Sequence, residues 1–250
     1  AQEFLQQSAS PLTHRGLSPH APYTVHPDLY HDLITLAAEH RVPLAVHLAE
    51  TREELQLLAT GDGPLRELLE ELGAWQEGAL LRKTRPLDYL EPLTELEHAL
   101  VIHGNYLAEA EVDWLAAHRQ VGVAFCPRTH FHFQHDAHPW PRLLEAGILV
   151  CLGTDSLASN PDLSVWNELR FLTRAAPGCD PLLLLQMATI NGACALGLSD
   201  DHGSLTPGSR ADALAVSIPD NGPFSLRQIF LHGNPVGTIR AGHWHPLPPT

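Results

Sequence analysis

The chain has no CxxC pair, no run of basic residues and no apolar stretch near the roughly 18 residues a membrane-spanning helix needs. Its four cysteines, Cys126, Cys151, Cys179 and Cys194, are too sparse in 250 residues for a disulfide scaffold. Cys126 and Cys151 fall in apolar, strand-like runs, the setting of buried reduced thiols, and a cytoplasmic location is expected. Lysine and arginine number 15 against 29 aspartates and glutamates, a formal charge of −14 with histidine neutral. Such a surface repels phosphate backbones and anionic lipid, so neither nucleic acid nor membrane is expected as a partner. The opening Ala1-Gln2-Glu3-Phe4 has neither an initiator methionine nor a signal-peptide pattern, and reads as a start in mid-protein.

What is present is a core. A hydrophobic content of 44% over 250 residues suffices for one large α/β domain. Short apolar runs alternate with helix-period segments, which predicts parallel strands joined by right-handed crossovers. Strands are expected at 42–47, 99–103, 121–126 and 147–153, with a weaker candidate from Leu12 to Ser18. Helices are expected at 27–40, 52–59, 64–72, 108–118, 140–146, 162–175 and 180–195, with a short helical stretch at 90–97. Residues 74–90 read as polar and irregular. After about residue 200 the chain becomes turn-rich, with short strands at 213–217 and 236–240. The expected organisation is a barrel portion over residues 1–200 and a small β-sheet unit over 201–250.

Three apolar strands each run into a metal-type or proton-handling residue: His47, followed by Glu50; His103, followed by Gly104; and Asp155 in Gly153-Thr154-Asp155-Ser156. Imidazole is a good zinc ligand, and a carboxylate beside a metal can shuttle a proton from water to a leaving group. Alone, His47 and Glu50 would equally be a core histidine and a helix-capping glutamate; the other strand ends favour a site. Asp155 at the end of an apolar strand is costly to bury unless paired or ligated, although it could also cap a helix. His20, between two nearby prolines, and Ser159, four residues after Asp155, fit substrate contact or a structural turn. Arg128 fits either an anionic substrate group or a surface salt bridge. The pairs His130-Phe131-His132 and His243-Trp244-His245 are expected to be loop histidines.

These motifs in order resemble the amidohydrolase superfamily, in its branch of adenosine-type and guanine deaminases and triazine hydrolases. The matching stretches are Ser-Pro-His-Ala-Pro-Tyr-Thr at 18–24, His-Leu-Ala-Glu-Thr at 47–51, His103-Gly104, Cys-Pro-Arg-Thr at 126–129, Gly-Thr-Asp-Ser-Leu-Ala-Ser-Asn at 153–160 and the turn-rich 203–212. The resemblance implies a (β/α)8 TIM-like barrel, here partial (strands 4 to 8), followed by part of a small β-sandwich. It implies His47 and Asp155 as metal ligands, Glu50 as proton shuttle, His103 as the group orienting the attacking water, and His20 and Ser159 as substrate contacts. The implied reaction adds metal-activated hydroxide to an aromatic amidine carbon of a small purine-like substrate and releases ammonia.

Dinuclear relatives bridge their metals with a carbamylated lysine at a strand end. The one lysine here, Lys83, lies in the irregular segment, which supports a single divalent ion, zinc or iron. The departure from the family pattern is that no His-x-His pair precedes His20. Counting back, three strand–helix units and half of the β-sandwich are expected to lie outside this sequence, and the strand edge left open should favour association between copies. A triazine-type chlorohydrolase, or a scaffold that has lost its first-strand ligands, are the rival expectations.

Overall fold

Helix boundaries follow local chemistry. Pro27 occupies the first turn of a helix whose preceding residue, His26, accepts the Asp28 N–H through its ring. Thr51 caps the next helix by accepting the Glu54 N–H, and Gly61, at φ 71°, ends it in the left-handed conformation that glycine adopts without cost. Ser164 and Asp180 cap later helices in the same way as Thr51. The computed structural model describes residues 1–6, 13–78, 80, 83–218 and 225–248.

Along the chain the elements are α1 (Gln2–Gln6), α2 (Pro27–His40), β1 (Leu44–Leu48), α3 (Arg52–Thr60), α4 (Pro64–Glu71), α5 (Pro86–Leu90), a 3-10 turn (Glu91–Glu95), β2 (Ala99–His103), α6 (Glu109–Ala117), β3 (Val121–Phe125), α7 (Pro127–His132) and α8 (Trp140–Glu145). Then follow β4 (Val150–Leu152), α9 (Val165–Ala175), α10 (Pro181–Ala188), α11 (Ile190–Ala195), β5 (Ala213–Ser217), α12 (Leu226–His232), β6 (Asn234–Arg240) and β7 (His243–Pro246). None of the described helices is long and apolar enough to cross a membrane.

The chain forms two units, one of Ala1–Phe125 with Gln134–Val150, the other of Cys126–Phe133 with Cys151–Thr250. In the first, β1, β2 and β3 pair in parallel, in that order. The register sets His47 opposite Ile102 and Leu48 opposite His103, so the two histidines leave the sheet at the same end. Leu44, Val46, Leu48, Ala99, Val101, Val121 and Val123 are buried, and Leu57, Leu90 and Leu115 on the following helices are fully covered. In the second unit, α9 and α10 carry buried Leu169, Leu172, Leu184 and Met187, and β5-β6-β7 form an antiparallel sheet.

Several expectations are corrected. The candidate strand at 12–18 reduces to a single parallel bridge, Leu17 to Leu44, and its first residue, Leu12, lies outside the described residues. The strand expected at 147–153 is only Val150–Leu152. The segment 74–90 contains α5, started by Pro86. The helix expected over 180–195 breaks at Thr189 (φ −136°, ψ −96°), whose hydroxyl donates back to the Leu185 carbonyl. His130 and His132 lie on α7 rather than in a loop, because Pro127 starts a helical turn directly after β3. His243 to His245 lie in β7, paired with Thr238 to Arg240, although Pro246 follows directly.

Leu57 is fully buried on α3, so Leu57→Ala is expected to cost about 2–5 kcal/mol, read as a lower urea midpoint with an unchanged m value.

Candidate metal centre

The first unit brings His20, His47, Glu50 and His103 together. The His20 carbonyl accepts two bonds from His47, one from its backbone N–H at 2.7 Å and one from ring Nδ1 at 3.1 Å. A carbonyl can only accept, so Nδ1 carries the proton. In the neutral ring Nε2 then holds the lone pair, the state a metal ligand requires. The His47 ring centroid lies 5.0 Å from that of His20 and 5.4 Å from that of His103. His103 Nε2 is 3.5 Å from Glu50 Oε1, with the His103 side chain 3% exposed and that of Glu50 20%. His20 is itself steadied by Thr24, whose hydroxyl is 2.6 Å from its Nδ1.

Glu50 is aimed by a residue that sequence reasoning missed. Thr51-x-x-Glu54 has the spacing of a capping box, and Thr51 plays its half. The Glu54 carboxylate reaches further back, accepting the Ala49 N–H at 2.9 Å and the Glu50 N–H at 2.8 Å. Asn105 holds the same turn by donating to the Glu50 carbonyl at 2.9 Å. Glu54 is 1% exposed, and burial pushes its carboxyl up from 4.5 to about 7, against the pull of its backbone donors. Tyr23 lies in the same neighbourhood, its hydroxyl pushed up first by burial and then by Glu50 and Glu54.

In the second unit Asp155 is partly buried after β4. Ser159 donates to Asp155 Oδ2 at 2.8 Å, and Thr129 is 3.0 Å from the Ser159 hydroxyl. Ser159 thus contacts the Asp155 carboxylate directly. Arg128 is not a surface residue. Its side chain, 12% exposed, binds the fully buried Glu168 at 2.7 Å and Asp162 at 2.6 Å, and the Arg128 bond, with donors from Ser164 and Asn167, holds the Asp162 carboxyl down at about 2. Asn160 ties this cluster to the Asp155 turn by donating to both Glu168 and the Thr154 carbonyl. The signal for Arg128 in the sequence, Asp162 and Glu168 downstream, is indistinguishable from ordinary surface charge.

His20, Ala49, His103 and Asp155 have φ of 54°, 53°, 69° and 55°. Left-handed backbone at non-glycine residues costs about 1–3 kcal/mol each and persists only where its surroundings enforce it. Here it sits at the turns where strand ends deliver candidate ligands.

Side chains delivered at the carboxyl ends of parallel strands are where α/β enzymes carry their chemistry. The chain belongs to the amidohydrolase family, which matches it over residues 1–244. It is 36% identical over 207 residues to a 5-methylthioadenosine/S-adenosylhomocysteine deaminase of Pelotomaculum thermopropionicum, covering 79% of this chain and 42% of that protein. It is 34% identical over 194 residues to an aminodeoxyfutalosine deaminase of Deinococcus radiodurans, covering 73% and 45%. Among solved structures it resembles an adenosine deaminase of Xanthomonas campestris with bound zinc, at 27% identity and TM-score 0.75, covering 94% of this chain and 52% of that one. An aminofutalosine deaminase of Helicobacter pylori in complex with methylthio-coformycin shares the fold at 24% identity and TM-score 0.83, covering 97% and 60%. The chain spans less than half the length of these two curated relatives.

Because the folded-state carboxyl of Glu54 lies above its ordinary value, the native state holds a proton that the unfolded state has lost between pH 4.5 and about 7. Stability from this group is therefore full below 4.5 and declines through that window by about 3 kcal/mol. Glu54→Gln should abolish this part of the pH dependence, measured as the wild-type-minus-variant difference in urea stability from pH 4.5 to 8.

Proposed function

We propose that this chain is the metal- and substrate-binding portion of a metal-dependent aminohydrolase that deaminates a purine-like ring. The observation that carries this is Glu50 beside His103, with His47 turned to offer Nε2. Membership of the amidohydrolase family and likeness to deaminases of adenosine-type compounds support it. Our assignment of the chain is strands 4 to 8 of a (β/α)8 barrel over residues 1–200 and part of a β-sandwich over 201–250. Support comes from the parallel sheet, the antiparallel β5-β6-β7 and the barrel-type neighbours.

The donor chemistry fits one divalent ion. His47 and His103 in the first unit offer imidazole and Asp155 in the second offers carboxylate, donor types that suit a borderline cation such as zinc better than a hard one. In our assignment His47 and Asp155 hold the ion and His103 orients the attacking water. The metal, when bound, supplies Lewis acidity that brings the pKa of water toward neutrality. Glu50 accepts the proton of that water as it attacks the ring carbon and delivers it to the departing amino nitrogen, which leaves as ammonia. Ser159 keeps the Asp155 carboxylate fixed, and His20 borders the space where the ring would lie. A small-molecule substrate and a reducing compartment complete the reading. The free cysteines support the latter, with burial pushing the Cys151 thiol up to about 12.

Ammonia release from adenosine, methylthioadenosine and aminodeoxyfutalosine by zinc-loaded protein carrying these residues is the direct assay. Glu50→Gln should lower kcat by about 10²–10⁴-fold with little change in substrate binding. Wild-type-like turnover in that variant, or no ammonia from any purine nucleoside, overturns the reading.

A further inference from the structure

His138 lies in a histidine-rich stretch that the proposed reaction does not use. It is buried, 8% exposed, and stacked on Phe125 with ring centroids 4.0 Å apart. Both of its ring nitrogens have defined roles. Nδ1 accepts the Trp140 N–H at 2.9 Å, one of the donors left over at the start of α8. Nε2 faces the carbonyl of His103 at 2.8 Å. An N–H can only donate and a carbonyl only accept, so the ring is neutral with its proton on Nε2, and that proton is spent on the backbone of His103.

The carbonyl so held belongs to a strained turn. His103 at φ 69° is followed by Gly104 at φ 63°, where an added Cβ would meet Leu107 at 3.0 Å and Val123 at 3.2 Å. The backbone on either side is anchored too, with the Gly104 N–H on the Leu48 carbonyl and the Tyr106 N–H on the Ala49 carbonyl. Two further links join the 134–138 segment to these turns. His135 Nδ1 is 3.2 Å from the Tyr106 hydroxyl, and Asp136 pairs with Arg52, which also covers the Tyr106 ring at 5.1 Å.

We propose that His138 is a positioning residue for the deamination. By fixing the His103 peptide in its left-handed conformation, it sets where the His103 imidazole stands relative to Glu50. Residues Gln134 to His138 thus act as a clamp on the loops after β1 and β2. The proposal rests on the function proposed above for its consequence in catalysis, but its geometry can be tested without turnover.

Two measurements test it. In ¹⁵N-histidine-labelled wild-type protein, long-range ¹H–¹⁵N spectra should show His138 as the Nε2–H tautomer, assigned by nuclear Overhauser contacts of its ring protons with the Phe125 ring on which it stacks. An Nδ1–H or doubly protonated ring at neutral pH overturns the proposal even if no variant folds. In ammonia-release kinetics, His138→Ala should lower kcat by about 100-fold, the scale of an ångström-level misplacement, with KM changed less than about threefold. His138→Gln keeps an N–H able to reach the same carbonyl and should recover most of kcat. Unchanged kcat in His138→Ala, or loss of kcat and KM together without rescue by glutamine, makes the residue merely structural. A wild-type protein with no deaminase activity but the expected tautomer would overturn the functional reading and leave the clamp standing.

Discussion

The strand-to-helix turns of each unit depend on buried glutamates placed in the first turns of the helices that follow. Glu54 after β1, Glu111 after β2 and Glu168 after β4 are each at most 2% exposed. Glu54 collects the N–H groups of Ala49 and Glu50, Glu111 that of Ala108, and Glu168 the backbone and guanidinium of Arg128 together with Asn160. A helix N-terminus favours a carboxylate, and stray backbone donors at a strand-to-helix turn need an acceptor. Satisfying both with one side chain fixes the turn at the strand end. The cost is visible in the raised carboxyl of Glu54.

That constraint explains why strained backbone survives at these turns. A left-handed Ala49, fully buried, would relax to ordinary geometry if its N–H were free to find another partner. Glu54 on one side and the Leu48 and Ala49 carbonyl bonds to Gly104 and Tyr106 on the other leave it none. His47 is held by the carbonyl of His20 in a comparable way, so its tautomer is fixed before any ligand arrives. Preorganisation of this kind serves electrostatic catalysis, because the donors do not have to reorganise as charge develops.

Much of this was legible in the sequence. Apolar runs of strand length ending in His47 and His103 gave β1 and β2, and Pro27 and Gly61 marked helix ends by chemistry that acts within a turn. The illegible parts depend on partners distant in the chain. Thr51-x-x-Glu54 reads as a self-contained cap, and nothing local says that the carboxylate bypasses Thr51 for Ala49 and Glu50. His138 is one histidine among several in its stretch until Phe125 and the His103 carbonyl stand beside it. Arg128 and Glu168 are ordinary surface types by composition, and only tertiary packing buries their pair. Thr189 breaks a helix with neither proline nor glycine nearby enough to announce it, apart from Gly192 two residues into the next helix.

The measurement that bears most directly on the central claim is elemental analysis of the purified protein after dialysis against metal-free buffer. The account predicts about one zinc or iron per chain, lost in His47→Ala and in Asp155→Ala while the fold is retained by circular dichroism. No stoichiometric metal in the wild-type protein, or undiminished metal in both variants, would contradict it.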